Sequence, residues 1–87
     1  MKKYMVIECF FPGCKDRIYE RFYQKGRMLP EGLAYVNIWL SKDGDRCFQL
    51  MEADDPSLFQ VWLEHWKDLE TIEVVELGEK PKVQGAG

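Results

Sequence analysis

The stretch Leu33–Ala53, LAYVNIWLSKDGDRCFQLMEA, decides the fold. Two runs rich in β-branched and aromatic residues flank Asp43-Gly44. An Asp-Gly pair between such runs is a strong hairpin signal, because the turn needs left-handed backbone that glycine adopts without steric cost. The pattern predicts strands over 33–41 and 46–53. A turn centred on Asp43-Gly44 sets Ser41 opposite Arg46, Trp39 opposite Phe48, Asn37 opposite Leu50 and Tyr35 opposite Glu52. Strand alternation then sorts the hairpin into two faces. One carries Tyr35, Asn37, Trp39, Phe48, Leu50 and Glu52; the other carries Val36, Ile38, Leu40, Cys47, Gln49 and Met51. Neither is polar enough to stay in water, so both need cover.

Working outward, Lys3–Phe11 (KYMVIECFF) reads as a strand stopped by Pro12-Gly13. From Cys14 to Lys25 the period changes to helical, with Ile18, Tyr19 and Phe22 in one sector and Gly26 placed to end the helix. Beyond the hairpin, Asp55 fits an N-cap and Pro56 the first helical position, and Leu58, Trp62, Trp66 and Leu69 form a stripe. Thr71–Leu77 is a fourth strand, and Gly78–Gly87 reads as a loose tail after a single domain over 1–77. The order β-α-β-β-α-β predicts an α+β ferredoxin-like sandwich with both helices on one face of the sheet.

Two helices cover one face only. The mixed aromatic face of the hairpin is expected beneath them, together with Tyr4, Val6, Glu8 and Phe10 of the first strand. The aliphatic face, with Val36, Ile38, Leu40 and Met51, is expected against a second copy, making a homodimer. Aromatic residues are 14% of the 87 residues, more bulk than two layers of this size hide easily, which also favours a partner subunit.

Composition narrows the function classes. Lys+Arg total 12 against 15 Asp+Glu, a net charge of −3, which argues against nucleic acid or an anionic membrane surface as partner. No apolar run approaches the ~20 residues of a membrane span, and the Met1-Lys2-Lys3-Tyr4 start lacks the apolar stretch of an export signal. With 3 cysteines, an odd number, the expectation is a reduced, cytoplasmic protein. A single histidine, no zinc-like cysteine spacing and no glycine-rich phosphate loop lead to the expectation that no metal and no cofactor is used.

The candidate site follows from the face assignment. Glu8 and Glu52 are carboxylates in strand interiors, where burial would raise their pKa for proton transfer; pairing with a helix Arg or Tyr is the structural alternative. Glu52 and His65 are the catalytic candidates. His65 has a suitable intrinsic pKa but sits at the edge of the helical stripe, where it needs no function. Asn37, an amide in an apolar strand, requires a partner. Trp39, Trp62 and Trp66 could stack a planar ligand or simply fill the core. The expected pocket is thus lined by Asn37, Trp39, Glu52 and Trp66, with Glu8 and His65 at its margin.

The Tyr4-Met5-Val6 strand, Pro12-Gly13, Glu20-Arg21-Phe22, Pro30-Glu31-Gly32, Trp39, Met51-Glu52, Asp54-Asp55 and the Trp62/Trp66/Asp68-Leu69 helix together resemble a family of small bacterial proteins of unknown function with the dimeric α/β-barrel fold. The resemblance extends to about Leu77. Its superfamily includes cofactor-free monooxygenases of the antibiotic-biosynthesis type, muconolactone-isomerase-like enzymes and stress-responsive barrel proteins. It implies the fold and the dimer and assigns no catalytic residue. Two functions stay open: a homodimer that binds or converts a small apolar or aromatic molecule between sheet and helices, in the manner of the oxygenases or isomerases, and a non-catalytic dimeric sensing or interaction module.

Overall fold

The computed structural model describes residues 1–82. Its elements are β1 (Lys2–Phe10), α1 (Lys15–Lys25), β2 (Leu33–Leu40), β3 (Arg46–Ala53), α2 (Leu58–Leu63) and β4 (Glu70–Glu76). The strands form one antiparallel sheet in the order β2-β3-β1-β4. This is the expected α+β, ferredoxin-like arrangement, with β1 and β3 central and each helix crossing over one strand. Residues 78–82 belong to no helix or strand, and the rest of the expected tail, 83–87, lies outside the described residues.

Local signals explain the boundaries. α1 ends where Gly26 takes φ +68° and gives its N–H to the Phe22 carbonyl at 2.7 Å. Asp55, the expected N-cap, instead shapes the turn before α2, its Oδ1 accepting the Ser57 N–H at 2.9 Å behind Pro56, and Ser57 takes the N-cap position. Regular α-helix covers only the six residues of α2. Beyond it the chain winds in tighter turns, with the Trp66 N–H bonded to the Leu63 carbonyl and the Leu69 N–H to the Trp66 carbonyl. Residues three apart eclipse in such turns, so Trp66 and Leu69 still join Trp62 over the sheet.

The hairpin keeps its expected register from the turn to Asn37, which pairs with Leu50, while Trp39 pairs with Phe48. Five residues, Ser41–Asp45, make the connection; Gly44 takes φ +82°, and a Cβ there would lie 2.7 Å from Lys15 Nζ. Between Tyr35 and Asn37 the register shifts, so Tyr35 pairs with Met51 instead of Glu52. Val36 is the extra residue of this bulge, and it moves Tyr35 to the other face of the sheet.

The face assignment of the hairpin is corrected. Cys47, Gln49 and Met51 are buried beneath the helices and Ile38 is half-buried on the same side, whereas Asn37, Trp39, Phe48, Leu50 and Glu52 lie on the open side. The reason is the pairing of β1 with β3. Tyr4 stands opposite Met51, Val6 opposite Gln49 and Glu8 opposite Cys47, and opposed residues share a face. The helices do cover the Tyr4-Val6-Glu8 side of β1, as expected, and this side brings the aliphatic hairpin face with it. The core beneath the helices joins Tyr4, Val6, Ile18, Leu33, Met51, Phe59, Trp62, Trp66 and Leu69. Tyr4, Phe59 and Trp62 pack edge to face there, with ring centroids 4.9 and 6.4 Å apart in sequence.

Candidate functional site

Between α1 and the covered face of the sheet lies a cavity of about 260 Å³, open on one side to solvent. Its apolar walls come from Ile18, Tyr19 and Phe22 of α1, from Trp62 and Trp66, and from Phe10 and Ile38 of the sheet; its polar wall is Glu8, Gln49, Glu70 and Arg27. Sheet geometry assembles the polar wall. Glu8 lies opposite Cys47 on one side and Ile72 on the other, so Gln49 and Glu70 are its diagonal neighbours on the same face.

The four polar residues form one chain of contacts. Arg27 Nε donates to Gln49 Oε1 at 3.3 Å, and Gln49 Nε2 donates to Glu8 Oε1 at 2.9 Å. A donor on one side and a carboxylate on the other fix which way the amide points. The Glu8 and Glu70 carboxyl groups are diagonal neighbours on this face and each acts on the other's protonation. Burial drives the pKa of Glu8 upward against the opposing pull of Glu70, Gln49 and Arg27. Glu70 is pushed up further, first by burial and then by the negative charge of Glu8. Glu70 Oε2 is buried without a hydrogen-bond partner among the described residues. Two adjacent carboxylates only accept, so a proton on Glu70 both removes the repulsion and supplies the missing donor. The pair therefore holds a proton above the ordinary carboxyl range.

Arg27 is held from several directions. Its carbonyl accepts the indole N–H of Trp62 at 2.8 Å and of Trp66 at 3.2 Å. Its guanidinium carbon lies 3.6 Å from the Tyr35 ring centroid and 5.1 Å from that of Phe22. The bulge that reverses Tyr35 thus sets a ring against the guanidinium. Within α1, Arg21 makes a bidentate pair with Asp68 at 2.8 and 2.9 Å and reaches the His65 carbonyl at 2.7 Å. That pair holds the Asp68 carboxyl down to about 2. Cys47 also borders the cavity, and burial raises its thiol to about 11, so it stays neutral at neutral pH.

The structure divides the expected site residues. Glu8 and Trp66 meet at the cavity. Asn37, Trp39 and Glu52 lie on the opposite face of the sheet, where Asn37 Oδ1 accepts the Ile38 N–H at 2.8 Å and Trp39 is 49% exposed. The strand pairing therefore keeps all three out of the cavity beneath the helices. His65 is exposed and away from the cavity lining. Gln49, Glu70 and Arg27 were not singled out by the sequence. Gln49 carried a legible signal, a lone polar residue on an aliphatic strand face; Glu70 and Arg27 stand at element boundaries, where a charge is unremarkable. No group of three or more His, Cys, Asp or Glu placed to hold a metal occurs among the described residues, and none of their helices is long and apolar enough to cross a membrane.

Fold and cavity define a small α+β protein with a buried carboxyl pair in an aromatic pocket. Residues 2–79 match a family model described as a domain of unknown function, DUF3303, and the chain belongs to that family. No curated protein and no solved structure matches the chain.

Proposed function

We propose that the chain binds a small apolar or aromatic molecule between α1 and the sheet and moves a proton to or from it with the Glu8–Glu70 pair. The observation that carries this reading is Glu70 Oε2, a buried oxygen without a partner in the polar wall of an aromatic-lined cavity. A carboxyl pair that shares a proton offers an acid and a base side by side near neutral pH. Proton removal from carbon is the step common to isomerase-like and cofactor-free oxygenase-like chemistry, and this pair suits either without a metal or cofactor.

The same reading sets a second copy against the open face. Met5, Ile7, Phe48 and Leu50 are only half-buried there and Trp39 is exposed. Lys3, Arg46, Glu52 and Glu73 put both charge signs on that face, which suits a two-fold contact of the surface with itself. A homodimer joined sheet to sheet, a barrel-like arrangement, follows.

The test uses phenylacetaldehyde, whose ring suits the cavity and whose carbonyl makes the adjacent CH₂ acidic. In deuterium oxide the protein should accelerate loss of the CH₂ proton signal, and Glu70→Gln should reduce that rate about a hundredfold. Exchange equally fast with the variant, or no faster than buffer, refutes proton transfer by the pair.

A further inference from the structure

We infer that Arg27 is the anion-recognition residue of this cavity and that the ligand is an organic carboxylate or enolate carrying an apolar or aromatic body. The inference rests on the cavity being a ligand site, and it adds the chemical class.

Arg27 is positioned to a degree that packing alone does not require. The backbone on either side is held in left-handed conformations, Gly26 at φ +68° and Met28 at φ +59°. Met28 is the described non-glycine residue with positive φ, a conformation in which a side-chain-bearing residue is strained. Two indole N–H groups hold the carbonyl between these residues. The guanidinium is stacked on Tyr35 and near Phe22, and Gln49 takes its Nε–H. A guanidinium has five N–H donors, and this is the side-chain hydrogen bond Arg27 makes among the described residues. None of their carboxylates lies within ion-pair distance of it.

Gln49 stands between Arg27 and Glu8, bonding to both, so the two charges influence each other without pairing. Burial keeps Glu8 and Glu70 inclined to hold protons, which limits the negative charge a bound anion would meet. A planar cation with unused donors, fixed between rings at a cavity wall, suits bidentate binding of a carboxylate or of an enolate oxygen. Such a group on Arg27 would leave the apolar body for the Tyr19, Phe22 and Trp66 walls.

The experiment compares hydrocinnamate with its neutral amide, a pair matched in shape, on the full chain at neutral pH. Binding is followed through the indole N–H signals of Trp62 and Trp66 in proton–nitrogen correlation NMR, since both report on the Arg27 carbonyl. The acid is expected to bind at least about tenfold more tightly than the amide, from charge-assisted hydrogen bonds. Arg27→Met should bring the two affinities together while amide binding persists. Arg27→Lys, which keeps the charge and loses the fork, should retain a reduced preference and provides the comparison if the methionine variant does not fold. Amide binding with no preference for the acid overturns the role of Arg27 and leaves the cavity reading intact. An unchanged preference in either variant also overturns it. Failure of both compounds to shift the indole signals at millimolar concentration overturns the cavity reading and this inference together.

Discussion

The two faces of the sheet are built from similar residues and do different work. Beneath the helices, polar residues are few and stand side by side: hydrogen bonds join Arg27, Gln49 and Glu8 at a cavity wall, and Glu70 lies diagonal to Glu8. On the open face, polar residues are scattered between half-buried apolar ones, and Asn37 bonds only to its own neighbour's backbone. Aromatic content therefore does not distinguish the covered face from the open one; connectivity among the polar groups does.

The contrast predicts a graded response to substitution. The largest effect belongs to the covered face. Trp62 is 2% exposed, and Trp62→Ala should lower unfolding free energy by about 3–5 kcal/mol, whereas Phe48→Ala on the open side should cost a monomer about 1 kcal/mol. Urea titrations that gave equal losses would erase the distinction between core and contact surface. Next comes assembly. Leu50→Asp should abolish the dimer in sedimentation experiments while circular dichroism stays unchanged, because the charge would be buried unpaired only in the dimer. A wild-type chain that sediments as a monomer would refute the sheet-to-sheet contact.

The carboxyl pair gives a smaller effect with a definite sign. Glu8 and Glu70 have raised pKa values in the folded chain. The stability they contribute is complete below the ordinary value of 4.5 and is lost as pH rises through the raised values. Thermal stability of the wild type should therefore fall from weakly acidic to alkaline pH. Glu70→Gln, neutral throughout and able to donate to Glu8, should flatten the fall and gain about 1–3 kcal/mol at its alkaline end. The smallest effect is expected at the surface, where Arg21→Ala removes the exposed Asp68 pair and should cost about 0.5 kcal/mol. Asp68 has a lowered pKa, so that contribution is present at neutral pH and is lost as pH falls toward 2.

Much of the fold was legible because its signals are local. Pro12-Gly13, Asp43-Gly44 and Asp55-Pro56 each end or begin an element through their own backbone preferences, and the pairing of Trp39 with Phe48 followed from the turn alone. The side of the hairpin that the helices cover was not legible. Both faces are apolar, so the outcome depends on which residue of β1 stands opposite Met51, a contact between residues 47 positions apart. The site inherited that gap. Glu8 and Trp66 lie on elements whose orientation the pattern determined, and both reached the cavity. Asn37, Trp39 and Glu52 depended on the undetermined step and went to the other side. Arg27 was hidden for a further reason: its placement relies on the Val36 bulge, and nothing in VNIWL marks an extra residue.

That bulge has a consequence for how such a chain can change in evolution. One unpaired residue makes β2 odd where a plain strand would be even, so Tyr35 and Trp39 point to opposite sides of the sheet although an even number of positions separates them. Losing Val36 alone would restore simple alternation and leave Tyr35 opposite Met51, against the Arg27 guanidinium. Keeping every residue and straightening the strand would instead set Tyr35 opposite Glu52, taking the ring from Arg27 and adding it to the open surface. The length of β2 and its straightness are thus linked: the strand tolerates the loss of one residue at Val36, whereas a straight strand of the present length would carry a ring across the sheet.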